Sequence, residues 1–243
     1  TELADRTATS EATVIRFAQR LGFPGYSALK IALALDLHAR EAPLPGTLTS
    51  EDDVAAIKRK VIGVDIESLR DTLRLLDDQS LGAAVDALID ARRIELYGVG
   101  SSAAIAHDAY ALLMQIGLPV YAVTDPHLQV MSAAQLVPGD VALAISTSGS
   151  TKDTVEALQA ARDAGATCIC LTRHVRSPIT RVAHVTLLAA ARPAMVGGHQ
   201  INGRVAQVAV LDVLATAAAI RRQDTSLSAL DRGRRAISDS KRY

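Results

Sequence analysis

The chain has 243 residues, a hydrophobic fraction of 49% and a formal net charge of zero, from 26 basic and 26 acidic side chains. The apolar share is enough for a sizeable core. A net charge of zero excludes the class of strongly basic proteins that bind nucleic acid through their overall charge, so any DNA binding must come from a local basic patch. The sequence shows neither a signal peptide nor an apolar run long enough to span a membrane. We therefore expect a soluble, cytoplasmic protein with no membrane partner.

The only two cysteines, Cys168 and Cys170, alternate on one apolar stretch. Residues two apart in a strand share a face, so this spacing predicts two buried thiols in a reducing compartment. No second pair of cysteines or histidines has the spacing of zinc ligands. We expect neither a metal nor a cofactor.

The first part of the chain has the pattern of a helical region. Ser10 or Thr9 is expected to cap a helix that Gly22 and Pro24 end. Residues 42–50 (APLPGTLTS) are rich in proline, glycine and hydroxyl groups, which is typical of a linker. Helices are predicted over residues 2–6, 11–21, 26–37, 53–76 and 80–91, with a turn at 7–9.

Strands and helices alternate after residue 93. Strands are predicted over 94–99, 120–124, 141–146, 167–172 and 184–188. Helices are predicted over 102–116, 127–136, 151–164, 178–182 and 201–222. This alternation predicts an α/β fold with a parallel five-stranded sheet between helices, a flavodoxin-like three-layer arrangement with right-handed crossovers. Ligands of such folds lie at the carboxyl ends of the strands.

The most informative stretch is VALAISTSGSTKDTVEALQAA, residues Val141 to Ala161. A buried apolar strand runs into a loop with Gly149 and then into an amphipathic helix, which Ser150 followed by Asp153 is expected to cap. Backbone N–H groups, hydroxyl donors and the helix dipole make such a junction an anion site. A Lys at P-loop spacing is absent, so a small phosphorylated ligand fits better than a nucleotide. The hydroxyl-bearing residues of the loop are Ser146, Thr147, Ser148, Ser150 and Thr151.

A second strand–loop–helix junction occurs in LYGVGSSAAIAHDAY, residues 96–110. Gly98, Gly100, Ser101 and Ser102 precede its helix, and the third glycine of a dinucleotide fingerprint is absent. Ordinary helix capping explains either loop taken alone. Two such loops on one parallel sheet favour a binding site instead, in which each loop contacts the same phosphate from its own side.

The stretches GVGSSAAIA, DPHLQVMSAAQLVPGDVALAISTSGSTKDTVEAL and AGATCICLT together resemble a sugar isomerase (SIS) domain, over roughly residues 94–222. The resemblance implies that the hydroxyl groups of both loops bind a sugar phosphate. Many members have Glu where this chain has Ser150, a departure that leaves the hydroxyl groups in place. By motif position the phosphate ligands are Ser101, Ser102, Ser146, Ser148 and Thr151, with Gly100, Thr147 and Ser150 beside them.

Two histidines are further candidates for the effector site. His127 follows the second strand, where a capping or structural role is an equal alternative. His199 precedes the last long helix, where SIS domains often close over the sugar, sometimes from a partner subunit. Polar residues at that position are also common helix caps.

The segment ELADRTATSEATVIRFAQRLGFPGYSALK, residues 2–30, fits a helix-turn-helix. Its second helix is expected to enter the major groove with its first turn leading. Arg16 is the strongest candidate, because its guanidinium pairs with guanine or phosphate. A plain helical hairpin is the alternative interpretation. The expected apolar backs are Leu3, Ala4, Val14, Ile15 and Ala18, and the expected DNA-binding residues are Ser10, Glu11, Ala12, Thr13 and Arg16.

The order of SEATVIRFAQRLGFPGYSALK before an SIS domain resembles the RpiR (MurR/RpiR) family of bacterial transcriptional regulators. The resemblance implies a sugar-phosphate-responsive regulator of a carbohydrate operon, more often a repressor, that binds double-stranded operator DNA as a homodimer or homotetramer. It also implies that the N-terminal part of the helix-turn-helix is missing here, and that Ala8 replaces a glycine. The expected domains are a partial helix-turn-helix (1–42), a linker (43–52), the SIS domain with its leading helices (53–225) and a polar tail (226–243).

Two other functions remain open at this point. An aldose–ketose isomerase would use the same domain, but it needs a base to move a proton between adjacent carbons. Glu156 lies a turn into a helix and His127 has no evident partner, so no such base stands out. A sugar-phosphate sensor that binds a protein rather than DNA is the third possibility.

Overall fold

The computed structural model describes residues 3–4, 7, 9–41, 47–192, 194–196, 199–200 and 203–240. The helices are α1 (Glu11–Arg20), α2 (Tyr26–Glu41), α3 (Val54–Leu75), α4 (Asp78–Asp90), α5 (Ser101–Gln115), α6 (Pro126–Ala133), α7 (Lys152–Asp163), α8 (Pro178–Val182), α9 (Val205–Arg221) and α10 (Gln223–Ser240). The strands are β1 (Thr47–Leu48), β2 (Arg93–Tyr97), β3 (Val120–Val123), β4 (Asp140–Ile145), β5 (Thr167–Thr172), β6 (Val185–Leu188), β7 (Met195–Val196) and β8 (His199–Gln200).

The chain divides into two compact units. The first unit contains residues 1–77 together with residues 190–203, and the second contains residues 78–189 and 204–243. The chain therefore passes into the first unit a second time before it returns to the second. The predicted domain boundaries remain a prediction.

The second unit is built on a five-stranded parallel sheet of order β3-β2-β4-β5-β6. This is the strand order of flavodoxin-like folds, and it confirms the predicted fold class. Every residue of β4 is buried, as the continuous apolar run predicts for a central strand covered on both faces. The one charged residue, Asp140, accepts a hydrogen bond from the backbone N–H of Val137 and pairs with Arg92 at 2.8 Å.

Helices cover both faces of this sheet. Side chains of β2, β4 and β5 pack on one face against α6, α7 and α8. On the other side α4, α5 and α9 pack together, with α4 against β6 and α5 against β2. The predicted burial of the two cysteines is confirmed: Cys168 and Cys170 are free thiols buried in the α7 side of the core. Burial raises the pKa of Cys168 to about 12 and that of Cys170 to about 11, so both thiols are protonated at neutral pH.

The first unit is held together by the long helix α3. Asp71 is almost fully buried and binds the guanidinium of Arg192 at 2.6 Å. The hydroxyls of Ser68 and Thr72 accept hydrogen bonds from the backbone N–H groups of Arg192 (3.0 Å) and Ala190 (2.9 Å). One turn of α3 thus holds the segment that returns from the second unit.

The sequence did not predict the small sheet of the first unit. Its order is β1-β7-β8, with β1 parallel to β7 and β7 antiparallel to β8. Part of the expected linker is therefore a strand, while residues 42–46 lie outside the described residues. One other expectation needs correction, since α2 extends to Glu41. The polar tail forms α10 up to Ser240, in agreement with a helical tail.

Candidate functional site

Both hydroxyl-rich loops lie at the carboxyl ends of neighbouring strands. β2 and β4 are paired, and each continues directly into one loop and the start of its helix, residues 98–102 and 146–151. Within the sheet, β3 is the neighbour of β2 on one side, and β4, which follows later in the chain, is its neighbour on the other side. The loops therefore lie at the point where the strand order reverses, which is where open α/β sheets bind ligands.

The first loop leads closely into α5. Gly98 allows this, because a Cβ there would lie 2.6 Å from the backbone oxygen of Ser102. Gly100 occupies the N-cap position with a φ of +61° and has no side chain with which to cap the helix. Ser101 is exposed and Ser102 is buried at the start of α5. The N–H groups of Ser102 and Ala103 donate to the carbonyls of Val99 (3.2 Å) and Gly100 (3.1 Å), which leaves the N–H of Ser101, together with the dipole of the helix, to face a ligand.

The second loop begins with a hydroxyl that stabilises the turn. Ser146 is buried, and its Oγ accepts a hydrogen bond from the N–H of Gly149 (3.1 Å) and lies 3.2 Å from Oγ1 of Thr151. Thr151 is the N-cap of α7, and within the described part of the chain its side chain makes no capping bond. The expectation that Ser150 caps this helix is wrong by one residue.

Ser148 and Ser150 form the exposed rim of the second loop. Oγ of Ser148 accepts from the N–H of Ser150 at 3.2 Å, and the Ser150 hydroxyl donates to the Ser148 carbonyl at 3.3 Å. The Ser148 hydroxyl proton therefore remains able to point outward. The arrangement presents hydroxyl donors beside the positive end of the α7 dipole, which favours an anion.

Gly149 joins this loop to α8. It has a φ of +64°, and a Cβ at this position would lie 2.2 Å from Oγ of Ser177. Its carbonyl accepts a hydrogen bond from the N–H of Ile179 at 3.0 Å. Only glycine fits this backbone conformation and this contact together.

The hydroxyl of Thr147 points to α9 instead of the Ser146–Thr151 pair. It donates to Oε1 of Gln207 at 3.3 Å. Gln207 is 1% exposed, and its Nε2 has no hydrogen-bond partner among the described residues. Sequence reasoning missed Gln207, because it lies in an apolar helix and 60 positions from Thr147.

The two candidate histidines lie in different elements of secondary structure. His127 is exposed in the first turn of α6, a helix whose N-cap is Asp125, which accepts from the N–H of Leu128 at 3.0 Å. Because Asp125 caps the helix, a capping role is not needed from His127. The backbone of His199 lies in β8, and its side chain is outside the described residues.

The predicted DNA-binding residues lie on one helix. Ser10 caps α1, as predicted, with its hydroxyl accepting from the N–H of Thr13 at 3.2 Å. The five candidates Ser10, Glu11, Ala12, Thr13 and Arg16 are all exposed. Arg16 donates to the hydroxyl of Thr13 at 3.4 Å, which orients its guanidinium toward the first turn.

The apolar side of this motif differs from the prediction at one position. Ala4, Val14 and Ala18 are buried, but Ile15 is 45% exposed. Ile15 follows Val14 directly, and successive helical residues are 100° apart, so the face that buries Val14 and Ala18 leaves Ile15 outside it. Ala8 lies outside the described residues.

Comparisons with known protein families match both the N-terminal helices and the α/β part of the chain. Residues 87–217 match the model of the SIS domain, and residues 1–40 match the model of the rpiR-family helix-turn-helix domain. Within the described residues, no helix is long and apolar enough to cross a membrane.

Three relatives are informative. An uncharacterised HTH-type transcriptional regulator of Caldanaerobacter subterraneus is 40% identical over 88% of this chain and 76% of its own length. The regulator HexR of Pseudomonas aeruginosa is 36% identical over 90% of this chain and 77% of its own. The NanR protein of Vibrio vulnificus, solved in complex with ManNAc-6P, superposes with a TM-score of 0.70 at 29% identity, over 98% of this chain and 85% of that one. This chain therefore belongs to the RpiR family of HTH-type transcriptional regulators that carry an SIS domain.

Proposed function

We propose that this regulator binds a phosphorylated sugar or sugar acid at the two hydroxyl-rich loops and binds operator DNA through α1. The observation that carries the proposal is the pairing of two such loops on the adjacent strands β2 and β4, each leading into a helix N-terminus without a side-chain cap in the described structure. Free N–H groups, hydroxyl donors and two helix dipoles together favour a phosphate dianion.

We infer a role for each residue from its contacts. Ser101, Ser148 and the first-turn N–H groups of α7 donate to the phosphate, while Ser146 and Thr151 hold the second loop in shape. We include Gly100, Ser102, Thr147 and Ser150 in the effector site, with His127 as a contact to the sugar. His199 belongs to the first unit, and its role stays a prediction from the sequence. The complex of the related NanR with ManNAc-6P supports a sugar phosphate as the ligand class.

The regulatory part of the proposal follows from the family. The chain acts as a repressor of a carbohydrate operon, and a homodimer or homotetramer brings two α1 helices to a palindromic site. Effector binding favours one arrangement of the paired helices over another, so the effector and DNA affinities are coupled. DNA binding and two free buried thiols are consistent with a cytoplasmic protein.

A thermal-shift screen of hexose, pentose and amino-sugar phosphates and of phosphorylated sugar acids tests the effector. A ligand at 100 times its Kd stabilises the native state by about 2.7 kcal/mol. We expect at least one compound of this class to raise the Tm, and its unphosphorylated sugar to have no effect. A panel in which none of the phosphorylated compounds raises the Tm would contradict the proposal.

We predict that the protein does not interconvert aldose and ketose phosphates. Glu156 is exposed and pairs with Lys152 at 3.6 Å. Glu95 is fully buried in β2, where its carboxylate accepts from the hydroxyls of Tyr97 and Ser132, each at 2.6 Å. Neither carboxylate is placed to move a proton on a bound sugar. A coupled isomerase assay with the compounds of the screen checks this, and turnover that Ser148→Ala abolishes would favour an enzyme.

We predict that Arg16→Ala weakens DNA binding without changing effector affinity. Loss of a guanidinium contact to a base or phosphate costs about 1–3 kcal/mol, or roughly five- to 150-fold in affinity. Fluorescence anisotropy with DNA from upstream of the gene measures the effect. Arg232→Ala on the exposed face of α10 is the matched control. Equal loss in both variants would show a general charge effect instead of a contact by α1.

A further inference from the structure

The amide of Gln207 is the clearest unexplained polar group in the second unit. It lies in the first turn of α9 beside the buried apolar residues Ala206 and Val210. Its Oε1 accepts the hydroxyl of Thr147, and its Nε2 is buried without a partner among the described residues. An apolar side chain of the same size would avoid the cost of an unpaired buried donor. A retained amide at such a position calls for a partner that completes it.

The position of this amide relates it to the proposed effector site. Ser146 and Thr147 are adjacent in the loop, yet their hydroxyls have different partners. Ser146 contacts Gly149 and Thr151, whereas Thr147 contacts Gln207. The loop therefore directs one hydroxyl into the turn at α7 and the other toward α9. A sugar phosphate has two chemically different ends, and these two directions suit them.

We propose that Gln207 is a specificity-determining contact of the effector site, whose amide binds a hydroxyl group on the sugar part of the effector. The proposal rests on the proposed function, since it assumes a sugar phosphate in the two loops. A hydroxyl is both donor and acceptor, so it completes the amide in either orientation of its oxygen and nitrogen. Phosphate oxygens only accept, and they remain with the serines and the helix N-termini.

The ligand reaches the amide beside the Thr147 hydroxyl. Gln207 is buried and Thr147 is half-buried, so Thr147 lies between the amide and the more exposed part of the loop. Their hydrogen bond is long, at 3.3 Å, so a small shift of the Thr147 side chain is enough to open the amide. The sugar hydroxyl then accepts from Nε2, the atom without a partner among the described residues, while Oε1 keeps the Thr147 hydroxyl.

Calorimetric titration of the full chain with inorganic phosphate, glucose 6-phosphate, fructose 6-phosphate and 6-phosphogluconate tests the proposal. We expect Gln207→Met to lower the affinity for the tightest-binding sugar phosphate about five- to tenfold, the effect of one hydrogen bond. Its affinity for inorganic phosphate should stay within about twofold of the parent. The exposed Gln159→Met on α7 is the matched control and should change neither affinity. Without ligand, the Tm of Gln207→Met should equal or exceed that of the parent, because an unpaired buried donor is removed.

Each other outcome has a defined meaning. If Gln207→Met binds the sugar phosphate as tightly as the parent, the amide is completed by water and the proposal is wrong. If it weakens inorganic phosphate and sugar phosphate equally, the amide only positions the loop and the proposal is again wrong. If the parent binds inorganic phosphate but none of the sugar phosphates, the proposed function fails, and the contact fails with it.

Discussion

Gly149→Ala should abolish effector binding and destabilise the second unit. A φ of +64° costs a residue with a Cβ about 1–2 kcal/mol. The new Cβ would also lie 2.2 Å from Oγ and 2.6 Å from Cβ of Ser177, and 2.9 Å from Oγ1 of Thr172. The loop must move to relieve this contact, and it then loses the placement of Ser146 and Ser148. We expect an affinity loss of at least about a hundredfold, as for two lost charge-assisted bonds.

Gly139→Ala is a control that introduces the backbone strain of a positive φ without the steric clash expected in Gly149→Ala. Gly139 has a φ of +93°, and a Cβ there meets nothing within 4 Å. It is exposed at the amino end of β4, the opposite end from the candidate site. The control should lower the Tm moderately and leave effector affinity unchanged. Calorimetric titration gives the effector affinity of both variants, and thermal unfolding gives their Tm. If Gly149→Ala and Gly139→Ala bind the effector equally well, the loop geometry around Gly149 is not needed for binding.

Ser148→Ala and Ser146→Ala should both weaken effector binding, but for different reasons. The Ser148 hydroxyl faces solvent, so its loss removes one charge-assisted bond of about 1.5–3 kcal/mol, roughly ten- to a hundredfold in affinity. Ser146 is buried, and its Oγ holds the N–H of Gly149. The same N–H also donates to the Ser146 carbonyl at 3.1 Å and keeps that partner in the variant. Loss of the Oγ contact should therefore lower the free energy of unfolding by about 0.5–1.5 kcal/mol, the net contribution of one hydrogen bond.

The two serine variants are distinguished when effector affinity is measured by calorimetric titration and the Tm by thermal unfolding. Ser148→Ala should keep the parental Tm, whereas Ser146→Ala should lower it. Ser228→Ala on α10 removes an exposed hydroxyl that accepts from Arg232 and should leave effector affinity unchanged. Parental affinity in both Ser146→Ala and Ser148→Ala would place the phosphate outside this loop.

The sequence predicts the sheet and both loops well, because the signals are local. β5 has its predicted bounds, and the other four strands of the large sheet agree within two residues at each end. Continuous apolar runs such as Val141–Ile145 have no alternative to burial on both faces. Glycines and hydroxyls directly after two of these runs locate the loops, since parallel strands place their carboxyl ends at one edge.

The features that the sequence does not predict depend on distant partners. β1 and β7 have two residues each, too few for a periodic pattern, and Thr47 pairs with Met195 from the far end of the chain. Ile15 was expected to be buried, but helix geometry turns it away from Val14. Gln207 lies in a mostly apolar helix, and only the structure shows that its side chain is buried and that it contacts Thr147.

The second passage of the chain into the first unit limits how regulators of this type can exchange parts. Residues 190–203 belong to the unit of α3, and Asp71 holds Arg192 there. A chimaera joined after α3 would combine Asp71 from one parent with the returning segment from another, and their ion pair and hydroxyl contacts would have to match. A junction within residues 42–46 keeps β1, α3 and the returning segment from one parent. New pairings of operator and effector specificity are therefore expected to arise by recombination within residues 42–46, ahead of β1 and α3.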